Sequence, residues 1–149
     1  MIKGLFETHV LVTNLEVSSQ FYEKLGLRLA HQDNDRRIHF FWIGNPGQAM
    51  LGLWEVPLTE MKTRHFAFEV NLQDIRNCLT YLQTNEMEVR NHSRDGLNDL
   101  EVIAWMPAVN IYFRDPDGNS LEFISMLPDP PKPELGTVKF DTWEKIHNR

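Results

Sequence analysis

Asn110–Ile124, NIYFRDPDGNSLEFI, holds two short strand patterns joined by Asp115-Pro116-Asp117-Gly118. Proline at the second turn position presets φ and glycine closes the turn without a Cβ clash, so the stretch reads as a β-hairpin. On the return strand Glu122 stands between Leu121 and Phe123. Side chains alternate across a strand, so those two neighbours take one face and Glu122 the other. On the outgoing strand the same alternation separates Asn110 and Tyr112 from Ile111 and Phe113. A carboxylate on the inner face of a sheet costs on the order of several kcal/mol unless something pairs with it. What pairs with Glu122 is the question the rest of the chain has to answer.

Working outward, Glu7–Val12 (ETHVLV) is short, β-branched and strand-like, with His9 inside it. Asn14 follows as a helix N-cap, and Leu15, Val17, Phe21, Tyr22 and Leu25 recur at near-helical spacing up to a stop at Gly26. Leu27–His31, Arg37–Ile43 and Ala49–Glu55 read as three further strands, which completes a β-α-β-β-β unit. After a connector that breaks at Pro57 the pattern restarts. Arg64–Val70 carries His65 near its start, and Asn71 stands where it can cap a helix bearing Leu72, Ile75, Leu79 and Leu82. Glu88–Asn91, Glu101–Met106, Val109–Arg114 and Ser120–Met126 supply the strands that follow. His9 and His65 take the same place in two copies of an internal repeat of roughly 55 to 60 residues. The second copy is longer, mostly through the polar stretch Asn91–Leu100, which reads as a lid loop. Residues 1–126 therefore read as one domain, with modules at about 5–55 and 64–125, followed by a proline-rich tail over 127–149. Val138, Phe140, Trp143 and Ile146 make that tail too apolar to be purely solvated, so it is expected to pack on its own domain or on a neighbouring subunit.

The composition is that of an ordinary globule: 149 residues, 42% hydrophobic and 24% charged. A net charge of -6 without any Lys/Arg run argues against nucleic acid as a partner. No apolar run is long enough for a membrane span or a signal peptide, and the single Cys78 suits a reducing compartment, so the expected location is cytoplasmic.

HVLVTNLEVSSQFYEKLGL from His9, HFAFEV from His65 and IYFRDPDGNSLEF from Ile111 together resemble the vicinal oxygen chelate superfamily, which includes glyoxalase I, fosfomycin-resistance thiol transferases, extradiol dioxygenases and bleomycin-resistance proteins. The resemblance spans Leu5–Ser125. It implies an α+β fold in which two βαβββ modules form an open, eight-stranded, barrel-like sheet with helices outside. It places a divalent metal on the concave face, at His9, His65 and Glu122, and it implies a homodimer. Two imidazoles and one carboxylate suit such an ion, leaving positions open for a substrate that chelates through adjacent oxygens. Without a thiolate, Fe, Mn, Co, Ni and Zn all remain eligible.

The departures from the family narrow the chemistry. Glyoxalase-type members take a fourth ligand, usually Glu, from the last strand of the first module, and aligning AMLGLWE with SLEF puts Gly52 in the place of Glu122. Glu55 differs from Gly52 by three residues and so points to the other face. Leu11 stands where fosfomycin enzymes usually carry Thr, and their cation loop is replaced by AWMPA. Strand parity lines the concave face with Met50, Trp54, Asn110 and Tyr112 as substrate-binding residues, with Tyr112 and Glu69 as candidate catalytic groups. His39 and His92 could serve as proton shuttles, although a plain surface histidine is the simpler reading of each. The expected function is a metal-dependent lyase, isomerase, transferase or dioxygenase acting on a small oxygen-rich molecule. The alternative is a protein of the bleomycin-resistance kind that sequesters its ligand without catalysis.

Overall fold

The computed structural model describes residues 1–149 as a mixed α+β chain with ten strands and three α-helices. It divides into two compact units, Met1–Arg64 with Asp115–Asn119, and His65–Arg114 with Ser120–Arg149. No helix is long and apolar enough to cross a membrane.

Unit 1 contains β1 (Glu7–Val12), α1 (Leu15–Lys24), β2 (Arg28–Asp33), β3 (Ile38–Ile43) and β4 (Ala49–Glu55). Its sheet runs β1-β4-β3-β2, with β1 parallel to β4 and the other pairs antiparallel. The Asn14 side chain accepts the Val17 N–H at 3.0 Å and so starts α1, and Gly26, at φ 96, lets the chain leave it. The inner face of α1 is Leu15, Ser18, Ser19 and Tyr22, while Val17 is exposed. Leu15 and Tyr22 share the core with Val10, Val12, Phe41, Leu51 and Leu53.

The turn Asp115–Asn119 is part of this unit. Buried Asp115 accepts the Tyr22 hydroxyl at 2.9 Å, the Asn119 amide at 2.7 Å, and the backbone N–H groups of Asp117 and Asn119. Asp117 accepts from the Thr13 backbone and hydroxyl, and the Asn119 amide donates to the Leu11 carbonyl. The DPDGN segment is thus a plug, held by side chains that a simple hairpin would not need.

Unit 2 contains β5 (His65–Glu69), α2 (Ile75–Thr84), β6 (Val89–Arg90), β7 (Glu101–Ile103), β8 (Ala108–Arg114), β9 (Ser120–Met126), β10 (Thr137–Lys139) and α3 (Phe140–Ile146). The sheet order is β10-β7-β8-β9-β5, and β6 also pairs with β8. Asn71 does not cap α2 with its side chain. A 3-10 turn over Leu72–Asp74 comes first, and the Asn71 amide donates to Asp74 instead.

Two features bring the strand number to ten where eight were expected. β6 and β7 lie one after the other along the same edge of β8, a single strand interrupted by residues 91–100. β10 then pairs with β7. The interrupting loop is tied down: Asn91 donates to Asp95, Glu101 accepts the Ser93 N–H, and Lys139 bridges Asp95 and Glu101. A lid free to open does not describe it. The tail packs on its own unit, with Phe140 and Trp143 buried, the Trp143 indole donating to Asp129 and Arg149 clasping the same carboxylate.

Candidate metal centre

In unit 2, His65 starts β5 directly beside Ser120, and Glu122 stands two residues further along β9. The Nδ1–H of His65 donates to the Ser120 carbonyl at 2.9 Å, since a carbonyl can only accept. In the neutral ring that leaves the lone pair on Nε2, which faces Glu122 Oε2 at 3.4 Å. Glu122 is only 4% exposed. Its other oxygen accepts the Asn110 amide at 2.6 Å, while the carbonyl oxygen of that amide is buried without a partner. Two acceptors facing each other, one of them a buried carboxylate and the other on a half-exposed ring, suit a proton or a cation between them. Two ligands each about 2.1 Å from one ion lie roughly 3.0 to 3.4 Å apart, so the donor set fits a divalent metal. A backbone carbonyl on the far nitrogen is also the usual way in which a metal-binding histidine is held.

Tyr112 shares this face. Its hydroxyl accepts from Asn110 at 3.3 Å, its ring lies 5.9 Å from that of His65, and burial followed by the charge of Glu122 pushes its pKa above the usual phenol value. Arg90, unremarked in the sequence, lies across from Tyr112 in the β6–β8 pair. Its guanidinium sits 4.8 Å from the Tyr112 ring centroid and donates to the Ser120 hydroxyl at 2.9 Å. Only the two-residue strand around it could have drawn attention to it. Glu69 ends β5 exposed, without a polar partner.

In unit 1 the surroundings of the histidine differ. His9 lies directly beside Gly52, with Met50 beside Glu7 and Trp54 beside Leu11. The ring occupies the space a side chain at position 52 would need: a Cβ there would come within 2.7 Å of His9 Cε1. The Trp54 indole N–H donates to His9 Nδ1, and His9 Nε2 lies 2.7 Å from Glu7 Oε1. An indole can only donate, so Nδ1 carries the lone pair and Nε2 the proton, the opposite tautomer to that of His65. The register also corrects the equivalence of Gly52 with Glu122. His9 faces Gly52 as His65 faces Ser120, so the residue placed like Glu122 is Trp54.

The remaining candidates disperse. Glu55 accepts the Leu15 N–H at 2.9 Å and pairs with Arg37, which occupies it at the start of α1. His39 is 8% exposed rather than a surface residue, and its Nδ1 meets the Ser19 hydroxyl of α1 at 2.8 Å. Phe40, not His39, takes the face of Gly52 and His9, because β3 pairs Phe40 with Gly52. His92 is exposed, with its ring 6.3 Å from Tyr112. In neither unit do three His, Cys, Asp or Glu side chains converge on one point.

A model of the Glyoxalase/Bleomycin resistance protein/Dioxygenase superfamily matches residues 4–123. Among solved structures the chain is similar to an integron cassette protein from the mobile metagenome of Halifax Harbour Sewage Outfall. That likeness is at 36% identity over 84% of this chain and 100% of that one, with a TM-score of 0.71. It is also similar to lactoylglutathione lyase from Agrobacterium tumefaciens, at 19% identity over 83% and 94% of the two chains with a TM-score of 0.65. The fosfomycin resistance protein FosX from Mesorhizobium loti matches at 21% identity over 86% and 96%, with a TM-score of 0.59. The last two likenesses speak to the fold alone.

Proposed function

The chain belongs to the glyoxalase/bleomycin resistance protein/dioxygenase superfamily, and from that premise we propose that it is a divalent-metal-dependent enzyme acting on a small, anionic, oxygen-rich molecule. The observation that carries the proposal is the His65–Glu122 pair, a lone-pair nitrogen and a buried carboxylate 3.4 Å apart. His9 is the third ligand in this reading, as the superfamily pattern implies. A metal held there would act as a Lewis acid toward the oxygens of the substrate. Asn110 keeps Glu122 oriented, which fixes where that charge is presented. Tyr112, its pKa raised by burial, keeps its proton at neutral pH and can donate to a developing oxyanion. Arg90 beside it supplies the positive charge that favours an anionic substrate. Lyase, isomerase, transferase and dioxygenase chemistry all lie within this reading, and the identity of the metal directs the assay. Glu69 is the general base of the proposal, being the free carboxylate on the same face of β5 as His65.

The sequestering alternative has one observation in its favour: both nitrogens of His9 already have partners within unit 1. Metal content decides between the two. Untagged protein purified without chelator is expected to carry about one equivalent of Fe, Mn, Co, Ni or Zn per chain, and the His65→Ala variant is expected to lose it. Glu55→Ala serves as the control. It should keep the metal while losing about 1–2 kcal/mol of stability, because an orphaned N–H at the start of α1 and an unpaired Arg37 remain. Protein without metal even after reconstitution would overturn the enzymatic reading. Pairing of subunits and a reducing compartment, with Cys78 free, belong to the same proposal, and sedimentation tests the former. In the tail, Phe140 and Trp143 are buried in their own unit, Val138 is half-buried and Ile146 is exposed.

A further inference from the structure

Unit 1 holds a cavity of about 500 Å³ beside the first turn of α1, on the face of its sheet opposite to His9. Leu15 is the one apolar side chain in the lining, and His39 is the buried polar one. The Nδ1 of His39 meets the Ser19 hydroxyl at 2.8 Å. That hydroxyl has no other partner, so it donates, and the ring proton sits on Nε2. Nε2 itself has no partner in the protein and is not sealed off, so it opens onto the cavity. Burial, then the charge of Arg37, holds the pKa of the ring below the usual histidine value, so at neutral pH it is an uncharged donor. Gln32 stands directly across the β2–β3 pair from His39, and Asn34 lines the same cavity. Both amides are exposed and without partners, and each offers a donor and an acceptor.

We propose that this cavity is a second binding site, separate from the metal centre, for an uncharged, hydroxyl-rich small molecule such as a sugar or polyol. Charge argues for a neutral ligand. Glu55 accepts the Leu15 N–H with one oxygen and Arg37 with the other, so the positive end of α1 and the guanidinium are both already answered. An anion entering the cavity would find no cation left to pair with, and would meet the exposed carboxylate of Glu16. A cation would meet the Arg37 guanidinium and the N–H edge of His39 instead of lone pairs. A hydroxyl both donates and accepts, so it can take the His39 Nε2–H and return a proton to the amide oxygen of Gln32 or Asn34. The buried imidazole, fixed by Ser19 on its far side, sets the position of the first hydroxyl, and the two amides on the open side select the next.

Long-range proton–nitrogen NMR of the imidazoles, on the full chain at pH 7, tests this by titration with D-glucose and with xylitol, and His39→Gln assigns the signal. The His39 Nε2 resonance is expected to move to saturation with at least one of the two. Gln32→Ala and Asn34→Ala are changes at exposed positions, so both variants are expected to fold. Each should weaken the binding about three- to tenfold, as the loss of one hydrogen bond does. Sodium acetate and tetramethylammonium chloride, the charged probes, should leave the resonance in place. Shifts that never saturate, or binding that both alanine variants leave unchanged, would mean that the cavity holds only water, and would overturn the proposal. Saturation by a charged probe alone would overturn it equally. Treatment with chelator should leave the titration unchanged, because the cavity shares no residue with the metal centre.

Discussion

The two histidine-bearing strands begin alike and end in opposite chemistry. His65 and His9 each lie on the first strand of a repeat, parallel to the last strand of the same repeat. The residue two positions beyond the histidine's partner is Glu122 in unit 2 and Trp54 in unit 1. A carboxylate can only accept and an indole can only donate. The first therefore leaves the imidazole lone pair facing another acceptor. The second saturates the lone pair, and the spare N–H turns to Glu7. A histidine on an equivalent strand is not an equivalent ligand: the neighbouring strand decides which nitrogen is free.

Removing the acceptor from unit 2 should have the largest effect. Glu122→Ala takes away the anionic half of the pair and leaves the buried Asn110 amide with only its 3.3 Å bond to Tyr112. Metal uptake, read by elemental analysis, is expected to fall below detection, with a further loss of about 1–3 kcal/mol in chemical unfolding from the hydrogen bond lost at that amide. Glu122→Ala retaining a full equivalent of metal would erase the distinction between the two strands. Next in size is Gly52→Ala, which pushes a methyl group into the His9 ring and should cost about 1–3 kcal/mol by displacing the imidazole from Trp54. Ser120→Ala, the same position in the other unit, removes only a hydroxyl that accepts from Arg90 and should cost less. Equal costs in thermal unfolding would mean that His9 is not seated over Gly52.

Much of this is legible in the sequence. Period-two alternation placed Asn110, Tyr112 and Glu122 on one face and buried Ile111, Phe113 and Leu121 on the other, because the core demands apolar side chains and the register leaves no third choice. The internal repeat likewise gave both β-α-β-β-β frames. What stayed hidden depended on partners distant in sequence. Ser18 and Ser19 took the buried face of α1 in place of Val17, since Asp117 and His39 wait there with hydrogen bonds. Asp115 looked like a turn residue, and its four donors, one of them Tyr22, could not be seen from the turn. The equivalence of Gly52 with Glu122 failed because sequence alignment counts residues along one strand, whereas the sheet sets them by their neighbour. Glu7 went unremarked for the same reason: next to a histidine it becomes meaningful only once Trp54 is known to hold the other nitrogen.

Unit 2 also carries a C-terminal clasp with no counterpart in unit 1, and its removal should have the smallest effect. Hydrogen bonds from Arg149 hold the Asp129 carboxyl down to about 2, outweighing the burial that opposes them, with help from the Trp143 indole. An unfolded aspartate titrates near 4. A depressed native value means that the unfolded chain takes up the proton first on acidification. The clasp's contribution is therefore complete above about pH 4 and disappears as the pH falls toward 2. Asp129→Asn should be less stable than wild type at pH 7 by about 1 kcal/mol or less, as expected for a partly exposed ion pair. That gap should close between pH 4 and 2, followed by urea unfolding with tryptophan fluorescence as the signal. A gap that keeps its size down to pH 2 would show that packing around Phe140 and Trp143, rather than the charge on Asp129, holds the tail to its sheet.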